Sequence, residues 1–315
     1  MGHTLIVHSP LSMAHETGAH HIESKKRYVV IIDALRQARL LTKETEWVAS
    51  PAPEKWLFMC HAREYVRLVK ESCHALLEGQ VEELRTGDVK ICHESYAAAL
   101  AMVGGAIHAV DSIMEGQFTN AFLVARPPGH HAQRARGMGF CLFNTVAIAA
   151  RYLQREYGLK RIAIIDWDVH HGNGTEAEFS EDPGVVYFST HQKGSYPGTG
   201  KEEFKGTSGN IYNHEVPPGP GARSTFMQYY LEELPALMEQ FRPQFVLISC
   251  GFDAHRLDPI ASLTLETEDY GILTKSVRGI ADTWCEGRLL SVLEGGYHLE
   301  SLAQCAVLHV QELSH

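Results

Sequence analysis

Residues 161–175 read Arg161-Ile162-Ala163-Ile164-Ile165-Asp166-Trp167-Asp168-Val169-His170-His171-Gly172-Asn173-Gly174-Thr175. After Arg161 the first part is apolar without alternation, which suits a strand covered on both faces, the habit of a parallel sheet. The second part turns to carboxylates, imidazoles and glycines, which an unpaired core rejects. The run 161–168 reads as a strand, and side chains two apart on a strand share a face, so Asp166, Asp168 and His170 are expected to project together.

The same grammar recurs along the chain. Apolar runs at 5–7, 121–124, 184–189, 245–249 and 289–293 alternate with helix-period stretches at 27–41, 62–77, 94–114 and 145–156. Further helices are expected near 224–240, 267–285 and 299–313. In such sheets ligands lie beyond the carboxyl ends of the strands. Those ends carry Arg126 to His131, Asp166 to Gly174, Ser189-Thr190-His191, Asp253 and Glu294 to Tyr297. The stretch 191–221 is rich in Gly and Pro without a period and reads as a long functional loop. With no repeat or linker, one α/β domain over 1–315 is expected, its mainly parallel sheet of about eight strands covered by helices on both faces.

The 315 residues hold 28 Lys+Arg and 38 Asp+Glu, a net charge of −10, with 44% hydrophobic and 21% charged residues. This is globular composition, and the acidic balance argues against direct nucleic-acid binding. No run approaches the roughly 20 apolar residues of a membrane span. The opening Met1 to His8 lacks a basic region and a long apolar run, so no secretory leader is expected. The cysteines (Cys60, Cys73, Cys92, Cys141, Cys250, Cys285, Cys305) form no C-x-x-C pair, which disfavours a disulfide framework. A soluble, reduced, cytoplasmic protein is the expectation, with self-association left open. Lys25-Lys26-Arg27 reads as a solvated charge run opening a helix.

Chemistry concentrates at the strand ends. Asp168, His170 and Asp253 supply two carboxylates and one imidazole, the donor set of a catalytic metal site with open positions. Any one of them alone is better read as a helix cap or ion-pair partner. Together they are not, because uncompensated carboxylates at one sheet edge repel. His130-His131 follows a Pro-Pro-Gly turn, and adjacent imidazoles can serve as base and acid if separate partners orient them. Asp166 and Asn173 are the candidate partners. Tyr297, after Gly295-Gly296, is expected to swing on flexible glycines and donate to a developing oxyanion.

The strings R-P-P-G-H-H (126–131), G-F-C-L-F-N (139–144), D-W-D-V-H-H-G-N-G-T (166–175), S-Y-P-G-T-G (195–200), G-F-D-A-H (251–255) and L-E-G-G-Y (293–297) together resemble the zinc-dependent histone deacetylase family. The match is nearest its class II branch and bacterial relatives and spans nearly the whole chain. The resemblance implies the three-layer arginase/deacetylase fold and a metal-dependent deacetylase. It implies zinc on Asp168, His170 and Asp253, and a catalytic pair His130 and His131 partnered by Asp166 and Asn173. It implies Tyr297 polarising the scissile carbonyl, with Gly139, Phe140 and Tyr196 lining an acyl-lysine tunnel and Ile260 at its rim. It also implies structural potassium or sodium: an inner set of Asp166, Asp168, His170, Ser189 and Thr190, and an outer set of Phe179, Asp182, Val185 and Tyr212.

Three alternatives are weighed. A two-manganese ureohydrolase centre needs carboxylates where Gly172 and Gly251 stand, so it is disfavoured. A non-catalytic binder is disfavoured by the full complement of Tyr297, His130, His131 and the three ligands. An acetylpolyamine amidohydrolase places an acidic residue near the tunnel mouth, where this chain has Ile260. This favours acyl-lysine in peptides or proteins over small acylated amines, although Glu16 or Glu23 of the 10–26 loop is available as a rim carboxylate. The donor set accepts zinc or ferrous iron. His191, His214 and His255 read as structural, and Cys141 and Cys250 as packing residues.

Overall fold

The strands of the protein, seen in a computed structural model that describes residues 4–315, follow the apolar runs closely. Met1, Gly2 and His3, which begin the stretch read for a leader, lie outside the described residues. The strands are β1 (Leu5–His8), β2 (Glu46–Val48), β3 (Glu82–Glu83), β4 (Lys90–Ile91), β5 (Asn120–Leu123), β6 (Ile162–Asp166), β7 (Val185–Gln192), β8 (Ile211–Val216), β9 (Phe245–Cys250) and β10 (Leu289–Leu293). β3 and β4 form a small antiparallel hairpin. The other eight make one sheet in the order β2-β1-β5-β10-β9-β6-β7-β8, with every neighbouring pair parallel.

The central strands β5, β10, β9 and β6 are buried along their whole length, so their largely apolar runs face helices on either side of the sheet. One helix group joins Lys25–Gln37, Thr267–Trp284 and Leu299–Leu313, and another joins Ser95–Met114 to Thr145–Glu156. Contrary to the reading that no run approaches a membrane span, Ser95–Met114 is by length and composition apolar enough to cross one, yet most of it is buried inside the fold. Its close approach depends on glycine, because a Cβ at Gly104 would stand 2.1 Å from the Ser50 carbonyl oxygen.

Four further expectations are corrected. β6 stops at Asp166 and does not run on to Asp168. The Asp168 N–H donates to Asp166 Oδ1 at 3.2 Å and the His170 N–H to Asp168 Oδ1 at 2.9 Å. Carboxylates that capture the N–H two residues on bend the chain out of the ladder. The i, i+2 spacing therefore works through side-chain-capped turns, not through strand alternation. Second, 191–221 is not wholly irregular, since β7 extends to Gln192 and β8 occupies Ile211–Val216. β8 escaped detection because its buried polar side chains are satisfied by remote partners, Asn213 by Glu176 at 2.6 Å and Glu215 by Lys201 at 2.7 Å. Third, the helix near 224–240 runs from Ala222 to Phe241 with a wider turn at Tyr229–Glu233. That turn precedes Pro235, whose missing N–H cannot continue an ordinary helix ladder. Fourth, of the charge run only Lys25 and Lys26 are exposed, whereas Arg27 is completely buried.

Candidate active site

The loops that leave β5, β6, β9 and β10 converge at one edge of the sheet. Asp168 and His170 come from the turns after β6 and Asp253 from the loop after β9, and their ligand atoms all lie within 4.8 Å of one another. His170 Nδ1 is 3.1 Å from Asp168 Oδ1 and 3.1 Å from Asp253 Oδ2. Backbone donors fix both carboxylates: Gly295 N–H on Asp168 Oδ2 at 2.7 Å and Val169 N–H on Asp253 Oδ1 at 2.9 Å. Glycine is needed around them, because a Cβ at Gly251 would lie 2.3 Å from Asp168 Oδ2 and one at Gly295 2.1 Å from Asp253 Oδ2.

This donor set suits a divalent ion. All three groups are buried, and among the described residues no lysine or arginine pairs with either carboxylate. In the metal-free chain, burial followed by the charge of Asp168 pushes Asp253 up. Burial lowers His170, but its hydrogen bonds to Asp168 and Asp253 outweigh that and hold it at about 10. A proton on His170 Nδ1 thus stands between two carboxylates, where a cation's charge is called for.

His130 and His131 lie beside this cluster with ring centroids 4.0 Å apart. His130 Nδ1 donates to Asp166 Oδ2 at 3.1 Å, and His131 Nδ1 to Asn173 Oδ1 at 2.8 Å. The two environments separate the pair. Burial lowers His130, but Asp166, Asp168 and Glu294 override it and raise it to about 10. Burial lowers His131 strongly, and the nearby charges of His130 and His170 lower it further. Glu294 holds the backbone of the pair, accepting N–H bonds from Gly129 at 2.7 Å and His130 at 3.1 Å.

Tyr297 does not swing freely, contrary to the reading of Gly295-Gly296 as a flexible hinge. Gly296 has φ 115°, a conformation that calls for glycine, but the strap around it is pinned on all sides. Arg27 Nε donates to the Gly296 carbonyl at 2.6 Å and Nη2 to the Glu294 carbonyl. Asp258 Oδ2 accepts the Tyr297 N–H at 2.7 Å. The Arg27 guanidinium also lies 5.0 Å from the Tyr297 ring centroid. Burial pushes the Tyr297 phenol well above its ordinary value, so it stays a proton donor.

A cavity of about 270 Å³ opens above the cluster, lined by Ile22, Asp88, His131, Gly139, Phe140, His170, Ser195, Tyr196, Ile260 and Tyr297. Gly139 lies flat on His131, where a Cβ would be 2.3 Å from the ring. Phe140 is held at φ 66°, unusual for an aromatic residue. The sequence reading missed Asp88, whose Oδ1 accepts the Gly139 N–H at 2.8 Å and the Tyr196 hydroxyl at 3.2 Å. Neither rim carboxylate expected from the 10–26 loop lines this cavity. Glu23 is fully buried on Arg126 at 2.8 Å and Arg27 at 3.1 Å, and Glu16 is paired with Lys25.

The inner cation residues lie at adjacent strand ends, with Asp166 paired to Ser189 in register. The outer carbonyls are already engaged: Phe179, Asp182 and Val185 all accept from the side chain of Asn210. His191 bonds Ser189 at 3.0 Å and the Gly200 carbonyl at 2.9 Å, and His255 accepts from the Leu257 N–H at 3.2 Å. His214 packs on Tyr229 with centroids 4.1 Å apart. All seven cysteines are buried and free, and burial pushes the Cys141 and Cys250 thiols well up.

The chain is similar to known proteins along nearly its whole length. The family model described as Histone deacetylase domain matches residues 21–313. Histone deacetylase 10, chloroplastic, from Oryza sativa subsp. japonica is 39% identical, over 96% of this chain and 71% of the relative. Polyamine deacetylase HDAC10 from Mus musculus is 35% identical, over 99% of this chain and 48% of the relative. The crystal structure of an HDA15 HD domain superposes with a TM-score of 0.89 at 30% identity, covering 99% of this chain and 88% of that one.

Proposed function

The chain belongs to the histone deacetylase family and is a deacetylase hydrolase, and on that premise we propose that it removes acyl groups from lysine side chains of peptides or proteins. One observation carries the reading: the aromatic residues Phe140 and Tyr196 line one cavity together with His131, His170 and Tyr297. The apolar lining residues Ile22 and Ile260 suit the methylene stem of an acylated lysine.

Asp168, His170 and Asp253 would hold zinc, which supplies Lewis acidity and lowers the pKa of a bound water from about 15.7 towards 7. The chain's own groups do the rest. His131, neutral through burial and through the cationic His130 beside it, presents its Nε2 lone pair because Nδ1–H is committed to Asn173. It takes a proton from the attacking water and returns it to the departing amine. His130 stays cationic on Asp166 and lowers the energy of nearby negative charge. Tyr297 donates a hydrogen bond from its hydroxyl to the carbonyl oxygen as charge develops there. Phe140 and Tyr196 exclude solvent from the stem.

A second reading, deacetylation of small acylated amines, is favoured by Asp88, a carboxylate in the cavity lining. Hydrolysis of acetyl-lysine peptides compared with N-acetylputrescine separates the two. The first reading expects the peptides to have the higher kcat/KM, and a higher value for the amine overturns it. If Asp88 recognises an ammonium, Asp88→Asn selectively raises KM for the amine.

A further inference from the structure

Asn210 stands one residue before β8, at the close of the tight 205–210 turn. Its side-chain nitrogen lies 2.8 Å from the Phe179 carbonyl oxygen, 3.1 Å from that of Asp182 and 2.9 Å from that of Val185. Three carbonyl lone pairs converging on one buried point require a positive charge or a set of donors. Converging carbonyls are also how proteins strip and hold potassium. The resemblance to the deacetylase family places a cation on these three carbonyls and on Tyr212.

The residues present do not fit that ion. The amide nitrogen sits at hydrogen-bond distance from all three oxygens, so an ion centred among them would coincide with it. The orientation of the amide is dictated: reversed, its oxygen would meet three carbonyl oxygens. Asn210 is 4% exposed and cannot turn out without moving its backbone. That backbone is held by Tyr187 N–H on the Asn210 carbonyl at 3.0 Å and by Ile211 N–H on the Lys205 carbonyl at 3.1 Å. The Asp182 carboxylate offers no compensating ligand, because it faces away to Arg151, Gln154 and the Gly184 N–H.

We infer that the Asn210 side-chain amide takes the place of the outer monovalent cation, so that this chain fastens the 179–185 turn with its own nitrogen and binds no ion there. The turn leads directly into β7, whose far end carries Ser189 and Thr190 of the inner set. Any response of stability to potassium then arises elsewhere, and the approach to β7 is fixed whatever the salt.

Crystals of the whole chain soaked in thallium(I), a potassium substitute with strong anomalous scattering, test this directly. The expected map has no peak among the Phe179, Asp182 and Val185 carbonyls. A peak there with Asn210 displaced overturns the inference. Asn210→Ala is expected to gain that peak, and its thermal midpoint to rise more than the native chain's when choline chloride is replaced by potassium chloride. A folded variant that gains neither shows that the amide is not what excludes the ion, which also overturns it. If the variant fails to fold, the native map decides alone.

Discussion

Replacing Arg27 by methionine removes the side chain that holds the Tyr297 strap while keeping an apolar stem of similar length. The native guanidinium is completely buried and bonds the carbonyls of Glu294 and Gly296 and the Glu23 carboxylate. Removing one partner of a buried ion pair costs about 3–5 kcal/mol. Glu23 keeps Arg126 at 2.8 Å, so the lower end applies, about 3 kcal/mol. With an unfolding entropy of roughly 2.1 cal/mol/K per residue, a chain of this length loses about 5 °C in Tm. Catalysis should suffer separately. Tyr297 retains the Asp258 anchor at its N–H but loses both carbonyl anchors before it. Misplacement by about 1 Å can cost on the order of 10² in rate, so kcat is expected to fall by about 10 to 10² with KM nearly unchanged. Calorimetry, metal analysis and steady-state kinetics on Arg27→Met and Arg27→Lys measure the parts. A kcat within twofold of native, at full metal content and with the Tm loss present, would refute the positioning argument. An unchanged Tm would refute the energetic one.

Tyr297→Phe is expected to keep its metal and its Tm while kcat falls by about 10²–10³; unchanged turnover removes the hydroxyl from the mechanism. Because His170 is held protonated near pH 10 without metal, loading zinc at pH 7 should release a proton. Calorimetry in buffers of different ionisation enthalpy reads that release, and a buffer-independent heat contradicts it. Burial raises Glu23, but Arg126 and Arg27 override it and bring it down to about 2. A depressed folded value means stability that is present above the ordinary carboxylate range and lost as pH falls towards 2. The urea midpoint of Glu23→Gln should therefore fall less steeply between about pH 4.5 and 2 than the native one; parallel profiles would show that Glu23 is not a source of acid lability.

Much of the architecture was legible because it is local. Largely apolar runs such as 162–165 and 289–293 suit interior parallel strands, and the polar residues that follow such strands lie at the sheet's carboxyl edge. Hence the sequence alone puts Asp168, His170, Asp253, His130, His131 and Tyr297 at one edge, and the structure brings them together there. β8 was not legible, since Asn213 and Glu215 are polar by type and become interior only through Glu176 and Lys201.

Arg27, Glu23 and Asp88 belong to tertiary structure alone. Arg27 sits in a basic triplet whose other members face water, and only the fold aims it at carbonyls of residues 294 and 296. Asp88 stands far along the chain from every other residue of the cavity lining, His131 being the nearest in sequence, and nothing near it signals a ligand. Asn210 is likewise silent in sequence until three carbonyls from another turn meet it. The order of residues dictates periodicity and the chemistry available at each strand end. Which buried charge meets which backbone oxygen depends on segments far apart in the chain, and that is decided only when packing removes water from between them.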